Sequence, residues 1–434
     1  MTATTPPAAR NGRREATLEQ LLADDDAAAV RDAAGRRAWG KHVLDALAAR
    51  LDEDQPTNVG FPSAFDLDYS LLDGLAGRVL NNVGDPFADS AFPANTKAFE
   101  RQVVDMFADL LHAPEHDRWG FVTSGGYHGV RYGLLNARRL HPGGIVYYSN
   151  TAHFCVRDVV DELGMAAVTI GVDATGAMDL EDLAAAAAGY RDRPAIVVAT
   201  IGTTMTEAVD DVPGIRAVLA AAHIHRSYIH ADAAFSGLPL VLLPVGGQPR
   251  FDLGVVESVS VSGHKLLGTP MPSGVVVVRA SQQIPGRWID YVDTAAATLS
   301  SSRSGHAPLY LWWALKVIGV DVHRDRVEQA RRVAGYAVYQ LNTVGVRAWR
   351  HPHAMTVVLD RPVDPAGRRW WLATTATTSH LVCVPGVTTA QIDALCADIT
   401  AAGTPAAAGV PRQIRRPVPA TPATRALGDG GSRR

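Results

Sequence analysis

The amino-acid sequence predicts an α/β protein built on a large, mostly parallel sheet, and three observations support this. Short runs rich in β-branched and aromatic residues recur through the middle of the chain. Stretches with helical periodicity separate several of these runs, and apolar strands that alternate with helices are typical of a sheet covered on both faces. With 434 residues, of which 47% are hydrophobic, the chain can bury a sizeable core.

The strand-like runs predict a large domain over residues 112–290 with a seven-stranded sheet. The predicted strands are 119–123, 145–149, 166–170, 195–200, 227–233, 258–262 and 274–279. The predicted helices between them are 130–140, 153–163, 180–190 and 215–223. The seventh strand follows the sixth after only a short loop, so it is the candidate for an antiparallel member.

The rest of the chain is expected to form smaller units on either side of this domain. Residues 15–111 predict an N-terminal segment of helices and loops, and residues 291–403 predict a small C-terminal α+β domain. The expected elements of the small domain are helices 308–319, 325–341 and 389–401 and strands 355–359 and 380–384. Residues 1–14 and the basic, Pro- and Ala-rich tail 404–434 are expected to be disordered, because they carry few large apolar side chains.

Composition and charge argue against several classes of protein. The formal net charge of −3 disfavours a nucleic-acid or anionic-membrane binder, and no apolar run reaches the ~18 residues that a membrane span needs. Three cysteines without a C-x-x-C pair indicate a reducing compartment, and the N-terminus does not resemble a signal peptide, so a cytoplasmic protein is expected. The histidine pairs at 223/225 and 351/353 lack a third ligand cluster, so no metal site is expected.

The most informative segment is Ser260-Val-Ser-Gly-His-Lys265, where a lysine follows a strand of small and apolar residues. Burial lowers the pKa of an ammonium group, which makes the neutral amine available as a nucleophile. The alternative interpretation is that Lys265 extends to the surface at the strand end.

A second segment, Tyr228-Ile-His-Ala-Asp-Ala-Ala234, places Asp232 at the end of another strand. Ligands of α/β sheets bind outside the carboxyl ends of the strands, so Asp232 and Lys265 are expected to reach one crevice. A buried carboxylate needs a cationic partner. A purely structural ion pair between the two residues is the alternative to a binding site.

The third segment, Thr123-Ser-Gly-Gly-Tyr-His-Gly129, joins a strand to a helix through small residues. Free N–H groups at the start of a helix bind anions, which suits a phosphate group. The segment lacks the endings of the common nucleotide-binding loops. By itself it is a weak indication, because glycine-rich turns also serve packing.

A phosphate cradle, a nucleophilic lysine and a carboxylate together match the requirements of pyridoxal phosphate. The order of these segments, with Thr151-Ala-His-Phe154 and Ile201-Gly-Thr-Thr-Met205 between them, resembles the group II pyridoxal-phosphate-dependent decarboxylases. The resemblance is strongest to their branch of bacterial histidine decarboxylases and plant serine decarboxylases. It covers residues 58–400, and further matching segments are 81–87, 95–97 and 302–309.

This resemblance implies a fold-type I enzyme and a role for each matching residue. Lys265 would bind the cofactor aldehyde, Asp232 would keep the pyridine nitrogen protonated, and His153 would stack on the ring. Ala234 would leave room on the opposite face of the ring, and Thr203 would contact ring substituents or the substrate carboxylate. The phosphate would be held by Gly125, Gly126, Tyr127, Ser262 and His264. Ser302 would reach the phosphate of a neighbouring subunit, because family members form homodimers with the site at the interface.

The sequence departs from this family in residues that are expected to line the substrate pocket. Tyr127, His128 and Val130 replace the usual Thr, Glu and Asn of the glycine loop, and Asp158 replaces a lysine. We expect residues 127, 128 and 158 to set the substrate rather than the cofactor. The same pocket is predicted to include Arg303, Ser304 and His306.

The resulting prediction is α-decarboxylation of an L-amino acid, histidine-like by family, to its amine and carbon dioxide. The departures at 127–130 and 158 leave a second reading open, namely aminotransfer or decarboxylation coupled to oxidative deamination. A non-catalytic binding protein is a third reading, which the intact lysine, aspartate and histidines oppose.

Overall fold

The computed structural model describes residues 18–23, 32–243, 249–362 and 369–403. The predicted disorder of residues 1–14 and 404–434 concerns parts of the chain outside these ranges. Within them, no helix combines the length and the apolar character that crossing a bilayer requires.

A seven-stranded sheet forms the centre of the molecule, with the spatial order β1-β7-β6-β5-β4-β2-β3. Its strands are β1 (Trp119–Thr123), β2 (Ile145–Ser149), β3 (Ala166–Ile170), β4 (Ala195–Thr200), β5 (Ser227–Asp232), β6 (Ser258–Ser262) and β7 (Gly274–Val278). Strands β2 to β6 pair in parallel, whereas β7 runs antiparallel to both β1 and β6. The mostly parallel sheet and the antiparallel seventh strand are confirmed.

The inner strands are largely buried, which suits the apolar sequences of β4 and β7. Every residue of β4 and of β7 is buried, because helices cover both faces of a parallel sheet. Strand β3 lies at the edge and leaves most of its residues exposed. The predicted fifth and seventh strands were each one residue too long at the carboxyl end.

Helices α5 to α10 surround this sheet. Their bounds are α5 (Gly126–Leu140), α6 (Phe154–Glu162), α7 (Leu180–Ala188), α8 (Val212–Ala221), α9 (Gly237–Leu242) and α10 (Gly263–Leu266). Helix α5 begins four residues earlier than predicted, because the apolar periodicity starts only at Val130. A Cβ at Gly129 would overlap Ser260, and one at Gly133 would overlap His230, so α5 lies directly on β5 and β6.

Among the described residues before β1 there are four α-helices and a long irregular segment. The helices are α1 (Leu18–Ala23), α2 (Ala33–Asp54), α3 (Asp73–Ala76) and α4 (Lys97–Leu110). Asp32 caps α2, since its carboxylate accepts a hydrogen bond of 2.7 Å from the Gly35 N–H. The irregular segment at 58–69 runs past the carboxyl edge of the sheet, where it contacts the residues that follow β6.

The C-terminal part packs a small antiparallel sheet against two long helices. Helix α11 (Ala307–Trp312) continues through a π-helix at Trp313–Gly319 into α12 (Val320–Thr343), and α13 (Thr389–Ala402) ends the described chain. The sheet has the order β10-β11-β13-β12, formed by Ala348–Trp349, Thr356–Asp360, Thr378–Val382 and Ala373–Thr374 respectively. A separate hairpin of β8 (Arg287–Ile289) and β9 (Thr294–Ala296) precedes it. The α+β character of this part is confirmed, whereas the domain bounds at 111/112 and 290/291 stay predictions.

A buried ion pair between Glu100 of α4 and Arg303 ties these parts together. The Arg303 Nη2 lies 2.8 Å from one carboxylate oxygen of Glu100, and the two side chains are 6% and 1% exposed. Glu100 also accepts hydrogen bonds from the Asn82 side chain and from the Val122 N–H of β1. Glu100 and the Gly84 carbonyl therefore hold the Arg303 guanidinium within one chain, and a place for Arg303 in the substrate pocket stays a prediction.

We expect Glu100→Gln to lower the free energy of unfolding by about 3–5 kcal/mol, because it leaves the buried Arg303 guanidinium without its counter-charge. Denaturant unfolding monitored by circular dichroism measures this loss. The control is Asp45→Asn, which breaks the exposed ion pair between Lys41 and Asp45 and is expected to leave stability unchanged. Equal losses in the two variants would contradict the structural role of the buried pair.

Candidate active site

Two adjoining cavities open at the carboxyl ends of the parallel strands. The first has a volume of about 250 Å³ and lies between the ends of β1, β4, β5 and β6. The second has a volume of about 270 Å³ and extends toward the small sheet. His153, Gly202, Thr204 and Lys265 line both cavities, so the two spaces meet at these side chains.

Most of the predicted cofactor residues come together in the first cavity. Its walls include Gly125, Gly126, Tyr127, His153, Asp232, Ala234, Ser262, His264 and Lys265. Thr203 lines the second cavity instead. Ser302 lies outside both, where its hydroxyl accepts a hydrogen bond of 3.1 Å from the Asn81 side chain.

Lys265 belongs to α10, the single helical turn that directly follows β6. Burial lowers the pKa of its ammonium group, although the nearby Asp232 carboxylate acts in the opposite direction. The interpretation of Lys265 as a strand-end side chain that extends to the surface is wrong, because this residue lines both cavities. An amine with a lowered pKa at the wall of a cavity is suited to nucleophilic attack.

Asp232 is the last residue of β5 and is 5% exposed. Burial raises the pKa of its carboxyl group, whereas Lys265 and His153 lower it. Its Oδ1 accepts one hydrogen bond, of 3.2 Å, from the Ala234 N–H, and among the described residues no ion pair joins it to Lys265. The Thr200 hydroxyl of the paired strand β4 is also buried without a hydrogen-bond partner in the described chain. Asp232 and Thr200 can therefore form further hydrogen bonds with a ligand in the first cavity.

His153 forms the N-cap of α6, where its Nδ1 accepts a hydrogen bond of 3.3 Å from the Cys155 N–H. Burial lowers the pKa of the imidazole. The neutral ring thus carries its proton on Nε2. Cys155, which sequence reasoning missed, lines the same cavity, and burial raises the pKa of its thiol to about 12.

The start of α5 forms a concave cradle on one side of the first cavity. Gly125 has a φ of 131°, which only glycine adopts readily, and no side chain caps the helix. A Cβ at Gly126 would lie 2.9 Å from the Ser262 hydroxyl and 3.2 Å from the Ala234 Cβ. The uncapped N–H groups and the absence of side chains leave room for an anionic group such as phosphate.

The second cavity is formed by segments that lie far apart in the sequence. Besides the shared residues, its walls come from Gly60, Phe61, Pro62, Thr203, Phe235, Thr356, Ala373, His380 and Val382. The His380 ring nitrogens lie 3.2 Å from the Met205 carbonyl and 3.1 Å from the Gly60 carbonyl. This histidine therefore connects three walls of the cavity.

The loop that carries Thr203 is fixed by a buried carboxylate. Glu207 accepts hydrogen bonds from the Ser236 hydroxyl and from the N–H groups of Met355 and Thr356. Burial raises the pKa of this carboxyl group, and the hydrogen bonds act in the opposite direction. The small sheet is thereby attached to the wall of the cavity.

Comparison with known proteins identifies the family of this chain. Residues 61–346 match the pyridoxal-dependent decarboxylase conserved domain. A histidine decarboxylase of Mesorhizobium japonicum is 41% identical over 359 residues, with 82% of this chain and 96% of that protein covered. The chain belongs to the pyridoxal-dependent decarboxylase family. A histidine decarboxylase of Morganella morganii is 35% identical over 366 residues, covering 83% of this chain and 96% of that one.

Solved structures of decarboxylases share the fold. The L-methionine decarboxylase from Streptomyces sp. 590 superimposes with a TM-score of 0.77 at 23% identity, covering 84% of this chain and 95% of the other. The glutamate decarboxylase of Lactobacillus brevis gives a TM-score of 0.69 at 15% identity, covering 92% and 95%. The expected fold-type I class is confirmed. This protein is a pyridoxal-phosphate-dependent amino acid decarboxylase.

The residues of the first cavity fit pyridoxal phosphate. The cradle at Gly125 and Gly126 suits the phosphate group, the buried Asp232 suits a protonated ring nitrogen, and Lys265 supplies an amine for the aldehyde. Among the described residues, no group of three His, Cys, Asp or Glu side chains is placed to hold a metal ion.

The residues predicted to select the substrate lie elsewhere than the second cavity. Tyr127 lines only the first of the two adjoining cavities, and its hydroxyl donates a hydrogen bond of 3.2 Å to Glu162. The His128 Nδ1 lies 2.9 Å from the Ser124 hydroxyl, and Asp158 is on the exposed face of α6. The sequence could not reveal the walls of the second cavity, because they come from remote segments with no motif of their own.

The loop at 302–306 also lies apart from Lys265 within one chain. Ser304 accepts a hydrogen bond of 3.1 Å from the Ala307 N–H, and the His306 Nε2 lies 3.2 Å from the Leu75 carbonyl. A cavity of about 90 Å³ separates Ser302 and Ser304 from Ser124 and His128. The place of Ser304 and His306 in a substrate pocket, in their own chain or in a partner's, stays a prediction.

Proposed function

We propose that this decarboxylase acts on L-histidine and releases carbon dioxide and the corresponding amine. The observation that carries the proposal is the second cavity, which joins the cofactor site at Lys265 and His153. The ionisable residues of its walls are Lys265, His153 and His380, and burial lowers the pKa of each of them. No carboxylate in these walls would pair with a cationic substrate side chain, so a side chain with a permanent positive charge is disfavoured.

A neutral ring of moderate size suits the composition of this cavity. Phe61 and Phe235 provide apolar surface, and Thr203 and Thr204 provide hydroxyl groups. A free imidazole has a pKa of about 6.5, so it is mostly neutral at pH 7.5 and can both donate and accept a hydrogen bond. The curated relatives that are named histidine decarboxylases support the same substrate.

The roles of the site residues follow from their positions around the first cavity. Pyridoxal phosphate, when bound, supplies an aldehyde that reacts with amines and a ring that withdraws electrons from the substrate Cα. Lys265 would hold it through Nζ, Asp232 would hold the proton of its ring nitrogen, and His153 and Ala234 would contact its two faces. The phosphate would lie at Gly125, Gly126, Tyr127, Ser262 and His264.

The pocket contributes to the reaction by orienting the substrate. Only the Cα bond that lies perpendicular to the cofactor ring is weakened, so the walls must hold the carboxylate in that direction. His153 and Thr204 line both cavities and are therefore next to the point where the substrate Cα would lie. The neutral His153 ring carries a proton on Nε2 that it could donate or hold.

We infer further that the enzyme is a homodimer with Ser302 close to the partner's phosphate cradle. The family resemblance at 302–309 supports this, and so does the firm anchoring of this loop by Arg303. Large apolar side chains are also exposed in one chain, including Val79 at 81% and Tyr291 at 84%. Sedimentation at assay concentration should give a dimer, and a fully active monomer would refute the inference.

Replacing Asp232 by asparagine is expected to reduce kcat by about 10²-fold or more, equivalent to ~2.7 kcal/mol of transition-state stabilisation. The amide cannot hold the ring-nitrogen proton as an anion does, which weakens electron withdrawal. Steady-state kinetics with the cofactor-saturated variant measures the effect. Asp158→Asn, which changes an exposed carboxylate of α6, serves as the control and should keep its activity. A kcat within twofold of the unmodified enzyme for Asp232→Asn would exclude the proposed role.

A panel of L-amino acids tests the substrate. We expect kcat/KM for histidine to exceed the values for phenylalanine and methionine by at least tenfold, or ~1.4 kcal/mol, and the values for lysine and glutamate by more. Amine and carbon dioxide should form in equal amounts. Preference for a charged substrate would contradict the cavity argument, and a keto acid or aldehyde product would favour aminotransfer or oxidative deamination.

Two variants separate the contributions of the two cavities. Phe61→Ala removes a wall of the second cavity and should shift selectivity at least tenfold toward larger rings such as that of tryptophan. Tyr127→Phe removes only a hydroxyl from the first cavity and should leave the substrate ratios unchanged. If Tyr127→Phe changed the substrate ratios and Phe61→Ala did not, the glycine loop rather than the second cavity would select the substrate.

A further inference from the structure

The helical turn that carries Lys265 is too short to be stable without contacts to other segments. Helix α10 comprises only Gly263–Leu266, and one turn of helix in isolation is unstable. The last carbonyl groups of a helix have no partner within it. The orientation of the Lys265 side chain therefore depends on what binds the carbonyl groups at this end.

The Gly268 N–H donates to the Lys265 carbonyl at 3.2 Å, and three donors from other segments also bind the carbonyl groups of residues 265–267. The Ala64 N–H donates to the Lys265 carbonyl at 2.9 Å, and the Tyr69 hydroxyl donates to the Leu267 carbonyl at 2.5 Å. The Arg326 Nη2 of α12 reaches the Leu266 carbonyl at 3.3 Å. We call these three donors, together with Asp66, the carbonyl clamp.

Arg326 is the most firmly fixed member of the carbonyl clamp. Its Nε donates to Asp66 Oδ2 at 2.8 Å, and its Nη2 also contacts Asp66 Oδ1, so the ion pair is bidentate. Its Nη1 donates at 2.7 Å to the Nδ1 of His323, whose Nε2 donates to the Ala314 carbonyl. Burial lowers the pKa of His323 to about 4, so this ring is neutral and can accept that hydrogen bond.

The clamp lies outside the space where substrate and cofactor would bind. Asp66 and Arg326 line a separate cavity between α12 and the residues that follow β13, and neither lines the two cavities at Lys265. A Cβ at Gly268, which has a φ of 57°, would overlap the Ala64 carbonyl, so the N-terminal segment lies directly on the lysine turn. Any effect of the clamp on the reaction must pass through the backbone.

We propose that Asp66 and Arg326 are positioning residues for Lys265, which they orient by fixing the carbonyl end of its helix. The proposal rests on the assigned role of Lys265 as the amine that binds the cofactor. Displacing a reacting group by about 1 Å can lower a rate 10²-fold. Loss of the clamp therefore slows the reactions of the Lys265 amine while the substrate cavity keeps its walls.

The test compares Asp66→Asn, Arg326→Gln and Arg326→Lys with the unmodified enzyme. The first readout is the rate at which cofactor-free protein captures added pyridoxal phosphate covalently, followed by its visible absorbance. The second is the division of the kinetic effect between kcat and KM for the amino acid. We expect Asp66→Asn and Arg326→Gln to lower the capture rate and kcat at least tenfold, with KM changed less than threefold. Arg326→Lys, which keeps a donor for the Leu266 carbonyl, should recover part of the loss.

Asp360→Asn is the matched control. It breaks the pair of Arg347 with Asp360, whose carboxylate is 28% exposed, as is that of Asp66. The control should capture the cofactor at the normal rate. Tyr69→Phe, which removes one clamp hydrogen bond and no charge, gives a second test and should produce a smaller loss of the same kind.

Several results would overturn the proposal. One is a folded Asp66→Asn or Tyr69→Phe variant with unchanged capture rate and kcat, and another is an equal loss in Asp360→Asn. The variant Lys265→Ala tests the role of Lys265 independently of the clamp variants. Covalent capture by Lys265→Ala would refute the role of Lys265 itself, whatever the clamp variants do.

Discussion

The parallel pairing of β4, β5 and β6 is the constraint on which the site depends. Because these strands run in one direction, their last residues lie at the same edge of the sheet. These residues are Thr200, Asp232 and Ser262. The direct packing of α5 on β5 and β6 adds a helix N-terminus to that edge. A carboxylate, an amine and an anion cradle thus surround one cavity of about 250 Å³, although their residues are spread over 140 positions of the sequence.

Burial gives these groups their chemistry. It lowers the pKa of Lys265 and His153 and raises that of Asp232, so each group is shifted toward its neutral form. A site of this kind gains from a ligand that brings both an anion and a protonated nitrogen, because such a ligand supplies the missing partners. Away from the cavity, buried charges such as Glu100 and Arg303 form ion pairs with one another. Paired buried charges therefore stabilise the fold, whereas the cavity groups Lys265, His153 and Asp232 are suited to bind a cofactor.

The sequence predicted the parts of this structure that depend on local patterns. All seven strands of the central sheet and the ends that carry Asp232 and Lys265 follow from apolar runs and short motifs. The walls of the second cavity did not, because Phe61 and His380 meet across more than 300 residues without a local signal. Arg303 was assigned to the pocket from its motif, whereas its partner Glu100 lies 203 residues earlier. The clamp on Lys265 was missed for the same reason.

The central claim is that Lys265 is the amine that binds the cofactor, and peptide mapping tests it most directly. The chain has only four lysines, Lys41, Lys97, Lys265 and Lys316. Borohydride reduction of the cofactor-loaded enzyme, followed by proteolysis and mass spectrometry, should find the cofactor on Lys265 alone. Lys97 is an internal comparison, since it is buried and, as for Lys265, burial lowers its pKa. A label on Lys97, or no label on Lys265 in a protein that is active and loaded, would contradict the account.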